Sequence, residues 1–168
     1  MLRVGLVSDT HGYWDDKLDA FFEGVDELWH AGDIGSTELL DKLASRWHLE
    51  AVHGNIDGGA TRLAAKPFLF FERDGVTVLI AHIGGYPGKY DRLFLKLIDD
   101  YQPTLAIAGH SHILKVMYDS KKSLLYINPG AAGVSGFHQV RTAIRFTIAN
   151  GEIKDLEVGE WERRAAAL

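Results

Sequence analysis

Two histidines, His110 and His112, follow an apolar run and Gly109 in the segment LAIAGHSHI, residues 105–113. Histidine is an uncommon residue at the end of a buried strand, whereas neutral imidazole is a frequent ligand of transition metals. The two histidines, separated by one serine, therefore indicate metal binding. Taken alone, they suggest one metal site that both share.

Five more side chains that could bind metal also follow apolar, strand-like runs, and most of them stand next to a glycine. They are Asp9 and His11 after residues 2–7, Asp33 after residues 27–31, Asn55 after residues 48–52, and His82 after residues 76–81. In open α/β sheets, ligands bind beyond the carboxyl ends of the strands. If these strands run parallel, all seven side chains converge in one cleft.

The seven side chains comprise two aspartates, one asparagine and four histidines, and the chain contains no cysteine. Oxygen and imidazole nitrogen ligands without sulfur suit Mn, Fe, Zn, Ni or Co. Seven ligands exceed what one such ion uses, but they suit two ions if one carboxylate bridges them. Two metals about 3.5–4 Å apart are a known arrangement for hydrolysing phosphate esters.

The elements that must position these residues change in character along the chain. Strands and helices alternate in the first half, and the second half consists mostly of strands in hairpins. The predicted strands cover residues 2–7, 27–31, 48–52, 68–72, 76–81, 104–108, 114–119, 123–128, 142–149 and 153–158, and the predicted helices cover residues 15–23, 36–47 and 89–101. This order predicts an α/β core with one mixed sheet, or two packed sheets with helices outside.

Length, composition and charge limit the class of protein. The 168 residues suit a single domain over residues 1–168, and 46% hydrophobic residues suffice for a sizeable core. The formal net charge of −5 disfavours nucleic acid as a partner, because the phosphate backbone is bound by a basic surface. No apolar run approaches the ~20 residues that span a bilayer, and the N-terminus lacks the apolar core of a secretion signal. We therefore expect a cytoplasmic protein that is not embedded in a membrane.

Together, the candidate ligands resemble the signature of the calcineurin-like metallophosphoesterases. The matching elements are, in chain order, Asp9-Thr10-His11, Gly32-Asp33, Gly54-Asn55, His82 and Gly109-His110-Ser111-His112. The short length and the sequence INPGA at residues 127–131 are similar to the small phosphodiesterase branch of the YfcE and Vps29 type. The resemblance implies two packed mixed β-sheets flanked by helices, a four-layer αββα sandwich.

By matching position, the resemblance implies two divalent metal ions that share Asp33. The first ion would be bound by Asp9, His11, Asp33 and His112, and the second by Asp33, Asn55, His82 and His110. The ions would be Mn, which we favour, or Ni, Zn or Fe. A hydroxide bridging the two ions would attack phosphorus in line with the leaving alkoxide. The catalytic residues would be Asp9, His11, Asp33, Asn55 and His110. The resemblance further implies a small phosphoester substrate and allows a homodimer.

Three positions depart from the family pattern. Ile56 stands where many members have a histidine that acts as general acid or phosphate ligand, Ile83-Gly84 replaces a Gly-His pair, and Ala131 replaces a serine. Because isoleucine cannot donate a proton, we expect weak activity on esters with poor leaving groups unless another residue substitutes. His138 is one candidate for that role, although a structural role fits it better.

The leading hypothesis is a metal-dependent phosphoesterase that prefers phosphodiesters. A Vps29-like protein-binding scaffold is the main alternative. The complete set of candidate ligands argues against it, whereas Ile56 in place of the acid histidine permits it. A phosphomonoesterase or nucleotidase is a further alternative. A single-metal oxygenase would leave several of the seven side chains without a role.

Other histidines and aromatic residues have structural interpretations. His30 is expected to be packed or to support the ligands, His48 to lie at the surface, and His53 to make a local hydrogen bond. Trp14 and Tyr86 fit either the core or the rim of the cleft.

Overall fold

Two five-stranded mixed sheets lie at the centre of the computed structural model, which describes residues 1–163. The elements are, in chain order, β1 (Leu2–Val7), α1 (Asp16–Phe21), β2 (Glu27–His30), α2 (Thr37–Arg46), β3 (His48–Ala51), α3 (Gly59–Ala64), β4 (Phe68–Arg73), β5 (Val76–Ala81), β6 (Gly85–Tyr86), β7 (Lys89–Tyr90), α4 (Arg92–Tyr101), β8 (Leu105–Ile107), β9 (Leu114–Asp119), β10 (Leu124–Pro129), β11 (Val140–Ala149) and β12 (Glu152–Glu162). The first sheet has the order β12-β11-β1-β2-β3 and the second the order β4-β5-β8-β10-β9.

Each sheet contains three neighbouring parallel strands with antiparallel strands beside them. In the first sheet, β1, β2 and β3 are parallel, and β11 and β12 continue the sheet in antiparallel pairing. In the second sheet, β5, β8 and β10 are parallel, while β4 and β9 form antiparallel edges. The carboxyl ends of parallel strands lie together, so each sheet offers one such edge for a site.

An apolar layer between the two sheets holds them together. Leu6 and Trp29 of the first sheet and Ile80 and Ile107 of the second belong to one buried cluster and are fully inaccessible to solvent. Because successive side chains of a strand point to opposite faces, each sheet also has an outer apolar face that needs a cover.

Helices cover both outer faces. On the first sheet, α2 buries Leu39 and Leu43 against the outer side of the strands, and on the second sheet α4 buries Phe94 and Ile98. The two helices have 10 residues each. The predicted αββα sandwich is therefore confirmed. Among residues 1–163, no helix combines the length and the apolar character that crossing a bilayer requires.

The helix starts show how the local sequence sets the element bounds. Ser36 caps α2 by accepting a hydrogen bond from the Leu39 N–H at 3.1 Å, and Asp91 caps α4 by accepting one from the Phe94 N–H at 3.1 Å. Side-chain oxygens of this kind satisfy amide groups that have no partner within the helix.

Two local predictions differ from the structure. The helix predicted over residues 89–101 begins at Arg92, because Lys89–Tyr90 instead pairs as β7 with β6. The helix α3, Gly59–Ala64, is absent from the sequence-based prediction, because its six residues carry little apolar periodicity. It buries only Thr61, so tertiary contacts rather than an apolar stripe determine it.

Candidate metal centre

Side chains that follow five of the six parallel strands meet at one edge of the two sheets. Asp9 and His11 follow β1, Asp33 follows β2, Asn55 follows β3, His82 follows β5, and His110 and His112 follow β8. Donor atoms lie within 4.8 Å of one another in each of two groups, Asp9–His11–His112 and Asp33–His82–His110. The structure thus brings the seven residues of the sequence pattern together, and their role as ligands stays a prediction.

Short distances join the two groups into one cluster. His112 Nε2 lies 3.3 Å from Asp9 Oδ1, and His82 Nε2 lies 3.3 Å from Asp33 Oδ2. Between the groups, His11 Nε2 lies 3.5 Å from Asp33 Oδ2, and His82 Nε2 lies 3.8 Å from Asp9 Oδ1. Asp33 therefore approaches histidines of both groups, which is the position a bridging carboxylate needs.

Asn55 and His110 form the solvent side of the cluster. Asn55 Oδ1 lies 3.0 Å from His110 Nδ1, and both residues are exposed. Asp9, Asp33 and His82 are buried beneath them. A molecule that enters from solvent therefore meets Asn55 and His110 before it meets the carboxylates.

Each aspartate has one oxygen bound by the protein and one directed at the histidines. Asp9 Oδ2 accepts hydrogen bonds from Ser8 Oγ at 2.8 Å and from the His110 N–H at 3.1 Å. Asp33 Oδ1 accepts one from the Ile56 N–H at 3.1 Å. These bonds orient both carboxylates and leave Asp9 Oδ1 and Asp33 Oδ2 for another partner.

Three buried atoms of the cluster have no hydrogen-bond partner in the part of the chain that the structure describes: Asp9 Oδ1, His11 Nε2 and His82 Nε2. A buried polar atom left in this state costs about 1–3 kcal/mol. Within residues 1–163, the ion-pair partners of Asp9 and Asp33 are histidines, with no lysine or arginine among them. Divalent ions would satisfy all three atoms at once, so the residues present fit the metal that their types predict.

The backbone at the centre is unusual. Five of the seven candidate ligands have a left-handed φ, namely Asp9 (54°), His11 (48°), Asp33 (57°), His110 (72°) and His112 (63°). Residues other than glycine rarely adopt this region, and such conformations concentrate at functional sites. The left-handed conformation at His110 and His112 shapes the turn after β8, and the two rings reach different groups of donor atoms.

The glycines that precede ligands leave room for ligands from other loops. A Cβ atom at Gly54 would overlap with Asp33 Oδ1, and one at Gly109 would overlap with Ser8 Oγ and contact Asp9 Oδ2. The Gly-Asn and Gly-His pairs therefore supply a ligand and the space for its neighbour together.

The pKa values of Asp33 and His82 shift in opposite directions. Burial alone would raise the pKa of Asp33, but the nearby His82 ring with its charge and the hydrogen bond from the Ile56 N–H lower it below its ordinary value. Burial alone would lower the pKa of His82, but Asp33 and Asp9 raise it above its ordinary value. In the absence of another cation, the protein thus favours an ionic pair between these two side chains.

His30 supports the loops from beneath and does not join the cluster. Its Nδ1 accepts a hydrogen bond from the Gly32 N–H at 3.1 Å, so Nε2 carries the proton and donates to Thr10 Oγ1 at 2.9 Å. Burial lowers the pKa of His30 to about 4, which keeps the ring neutral. The packed role expected from the sequence is the one the structure shows.

Two supporting residues escaped the sequence analysis. Buried Asp57 accepts hydrogen bonds from the N–H groups of Ile34 (3.1 Å) and Gly54 (2.8 Å), and so joins the loop of Asp33 to the loop of Asn55. Asn128 donates to the Gly109 carbonyl at 3.0 Å and to Ser111 Oγ at 3.1 Å, which fixes the turn between the two histidines. For Asp57, the only local signal was its position directly after Asn55-Ile56.

The remaining polar and aromatic candidates lie outside the cluster. His48 is exposed, and the backbone N–H of His53 donates to the carbonyl of the distant Lys66 at 2.9 Å, so this bond is not the local one expected. Trp14 packs with the helices over the first sheet, whereas Tyr86 is exposed.

A second group of acidic residues and histidine lies at the opposite ends of the same strands. Glu27 begins β2, and His48 and Glu50 belong to β3, with donor atoms that also lie within 4.8 Å of one another. Arg73 binds this group: its Nε lies 3.2 and 3.0 Å from the two Glu27 carboxylate oxygens, and its Nη2 lies 2.6 Å from Glu50 Oε2. We call Glu27, His48, Glu50 and Arg73 the Arg73 cluster. Its carboxylates already have a cation.

The fold and the centre define an α/β sandwich that gathers carboxylate and histidine side chains suited to divalent metal ions at its strand ends. Residues 2–151 match the family model of the calcineurin-like phosphoesterase superfamily domain, and the chain belongs to this family. A relative from Mycoplasma pneumoniae, described as a probable metallophosphoesterase, is 28% identical over 163 residues, which cover 93% of this chain and 96% of the relative. Membership indicates a hydrolase that uses divalent metal ions.

Solved structures share the fold at low sequence identity. A novel archaeal phosphodiesterase matches with a TM-score of 0.74 and 22% identity, covering 94% of this chain and 99% of that one. Vps29 from Entamoeba histolytica, solved in complex with Zn²⁺, matches with a TM-score of 0.73 and 16% identity, covering 97% and 100%. The fold expected from the resemblance to the Vps29 type is therefore confirmed.

Proposed function

We propose that this protein is a phosphoesterase that uses two divalent metal ions and prefers phosphodiesters. The observation that carries the proposal is the set of buried, unpartnered atoms Asp9 Oδ1, His11 Nε2 and His82 Nε2. The two histidine nitrogens lie 3.5 and 3.3 Å from Asp33 Oδ2 of the second carboxylate. A purely structural cluster would satisfy these atoms with protein donors and acceptors.

Asp9, His11, Asp33 and His112 are proposed to hold one ion, and Asp33, Asn55, His82 and His110 to hold the other. Mn²⁺ is our first choice among the ions that suit oxygen and imidazole nitrogen ligands without sulfur, which also include Fe, Zn, Ni and Co. When bound, two such ions supply a nucleophile from water near neutral pH and offset the charge of the phosphoryl oxygens.

The protein's own contribution is to orient these groups. The hydrogen bonds to Asp9 Oδ2 and Asp33 Oδ1 hold one oxygen of each carboxylate and direct the other into the centre. His82 donates its Nδ1 proton to the Ala31 carbonyl at 2.8 Å, which leaves Nε2 free to bind. The exposed Asn55 and His110 are placed to receive a phosphate group from solvent.

The identity of the proton donor limits the substrates. Ile56 is half-exposed beside the centre and has no ionisable group. We therefore propose that the protein favours esters whose leaving groups depart without an acid, such as aryl diesters. The likeness to an archaeal phosphodiesterase supports the choice of diesters over monoesters.

The first experiment compares metal content and activity in one preparation. Metal-depleted protein is reconstituted with Mn²⁺ or Ni²⁺, bound metal is counted by elemental analysis, and a chromogenic diester and monoester are assayed side by side. We expect about two ions per chain, faster diester hydrolysis, and loss of activity in Asp33→Ala and His110→Ala. The matched control is Glu27→Gln in the Arg73 cluster. Activity absent with every metal, or retained in Asp33→Ala, would contradict the proposal, and faster monoester hydrolysis would replace it with a phosphomonoesterase.

A protein-binding scaffold is the second candidate function. Vps29 proteins share the fold, and the edge strand β9 exposes Val116, Met117 and Tyr118. An exposed apolar edge of this kind is a common site of protein association. A Met117→Lys/Tyr118→Lys variant that keeps phosphoesterase activity but loses a homodimer or a stable partner would assign binding to this edge.

A cytoplasmic location is a prediction that fractionation of cells would test.

A further inference from the structure

His138 lies behind the candidate ligand His112, in the loop between β10 and β11. Its Nδ1 lies 3.2 Å from His112 Nδ1, and its Nε2 lies 2.8 Å from the carbonyl oxygen of Gly133. Both rings are partly buried. The sequence analysis considered His138 as a substitute acid, but both of its ring nitrogens are engaged within the protein.

The partners of the two rings determine where the protons lie. A carbonyl oxygen only accepts hydrogen bonds, so His138 Nε2 carries the proton of its bond to Gly133. Neutral His138 then presents a lone pair at Nδ1. The short contact between the two Nδ1 atoms needs one proton, which must belong to His112. The second ring nitrogen of His112, Nε2, is the atom that faces Asp9 Oδ1 at 3.3 Å.

We propose that His138 is a positioning residue that holds His112 in the tautomer with its metal-binding lone pair at Nε2. The inference rests on the proposed metal function, because it assigns His112 to an ion. Histidines that bind metals usually donate their other N–H to a fixed acceptor, and loss of the acceptor weakens metal binding about 10–100-fold. His82 follows the same rule with the Ala31 carbonyl as its acceptor.

The loop around His138 is fixed on both sides. The Gly133 N–H donates to the Asp9 carbonyl at 3.1 Å, so the residue that anchors His138 is itself bound to a candidate ligand. A Cβ at Gly136 would overlap with the His112 ring, and the Arg163 guanidinium donates to the Gly136 carbonyl. The loop thus holds the His138 ring beside His112.

Two substitutions separate this role from simple packing. His138→Leu gives a side chain of moderate size without an acceptor, whereas His138→Gln supplies a carbonyl oxygen that can accept from His112. His48→Leu removes a histidine outside the centre and is the control. In calorimetric titrations of metal-depleted protein with Mn²⁺, we expect His138→Leu to lower the affinity for one of the two ions about 10–100-fold. His138→Gln is expected to recover affinity to within a few-fold, and His48→Leu to match the wild type.

The tautomer itself is measured without metal. ¹⁵N NMR of the metal-free protein, at a pH well above the usual pKa of histidine, should show His112 protonated at Nδ1 in the wild type and in His138→Gln. In His138→Leu we expect His112 to populate the Nε2–H tautomer. Wild-type His112 protonated at Nε2, or a leucine variant unchanged in both tautomer and Mn²⁺ affinity, would overturn the inference. Wild-type protein that binds no Mn²⁺ would contradict the proposed function, and the NMR spectrum would still decide the role of His138.

Discussion

The candidate metal centre and the Arg73 cluster lie at opposite ends of the same strands and contain the same kinds of side chain. Asp33 and Asn55 follow β2 and β3, whereas Glu27 and His48 begin them. In the Arg73 cluster, a guanidinium binds both carboxylates. In the candidate metal centre, three buried atoms have no hydrogen-bond partner within residues 1–163, and the ion-pair partners of the two carboxylates there are histidines.

The difference leads us to expect that proximity of acids and histidines does not by itself make a metal site. A fixed arginine satisfies carboxylates permanently and leaves no vacancy for an ion. Histidines balance the charge of carboxylates only while both ring nitrogens are protonated, and a metal can displace one of those protons. Charge balance within the cluster therefore separates the two regions better than residue type does.

The largest expected effect is the loss of activity in Asp33→Asn. The exchange keeps the shape of the side chain but removes the charge that both ions are proposed to share, and metal-assisted charge stabilisation contributes several kcal/mol. We expect a fall in kcat/KM of about 10³-fold with Mn²⁺ and a diester, since each 1.36 kcal/mol is tenfold. Glu27→Gln should stay within about twofold of the wild type. Equal losses in both variants would mean that the comparison of the two clusters is wrong.

Removing the arginine should make the Arg73 cluster behave more like the metal centre. Arg73→Met leaves Glu27 and Glu50 without a cation, and we expect a loss of about 1–2 kcal/mol in the free energy of unfolding, a moderate value because the pair is partly exposed. Zn²⁺ should then raise the melting temperature of this variant more than that of the wild type. Arg145→Met, which removes an exposed ion pair with Glu157, is the control. A variant that Zn²⁺ does not stabilise further would show that charge balance is not the deciding property.

The pH dependence of the stability of the metal-free protein should also distinguish the two clusters. The folded pKa of His82 is raised, so its contribution is fully present below about 6.5 and is lost as pH rises through the folded value. The folded pKa of Asp33 is lowered, so its contribution is lost only in acid, as pH falls through the folded value. Thermal unfolding of metal-free protein should therefore show stability falling on the alkaline side, and Mn²⁺ should restore it because metals bind neutral histidine. Arg73→Met should retain this profile, and its disappearance there would contradict the assignment to His82.

The smallest expected effect is a gain in Ile56→His. A histidine next to Asn55 could donate a proton to the leaving group, and a well-placed acid contributes 10²–10⁴-fold. Because the rest of the site is not adapted to it, we expect about a 10-fold gain on alkyl diesters and little change on aryl diesters. The ratio of the two rates is the measurement. A uniform change for both esters would show that the histidine alters binding instead of protonation.

The sequence predicted those parts of the molecule that depend on local spacing. Apolar runs that end in Asp9, Asp33 or His110 located the strand ends, and Ser36 marked the start of α2 at its cap. The sandwich of two sheets followed from the family resemblance, because strand order alone also allowed one mixed sheet.

Features that depend on contacts between distant residues escaped prediction. Asp57 binds a loop 23 residues away, His138 reaches His112 over 26 residues, and the missed helix α3 has no apolar stripe of its own. Such contacts leave little trace in a local pattern, because many residue types could occupy the same positions until the chain is folded.

The left-handed backbone at five candidate ligands has an evolutionary consequence. Each such residue costs roughly 1 kcal/mol relative to glycine, even though aspartate and histidine tolerate the region better than most. Substituting glycine for His11 or His112 would therefore remove a metal donor and relax the chain in the same step. A lineage released from catalysis would drift toward glycine or asparagine at these positions and become more stable. The backbone therefore opposes keeping all five residues, and the proposed binding of metal ions is the property that would offset this cost.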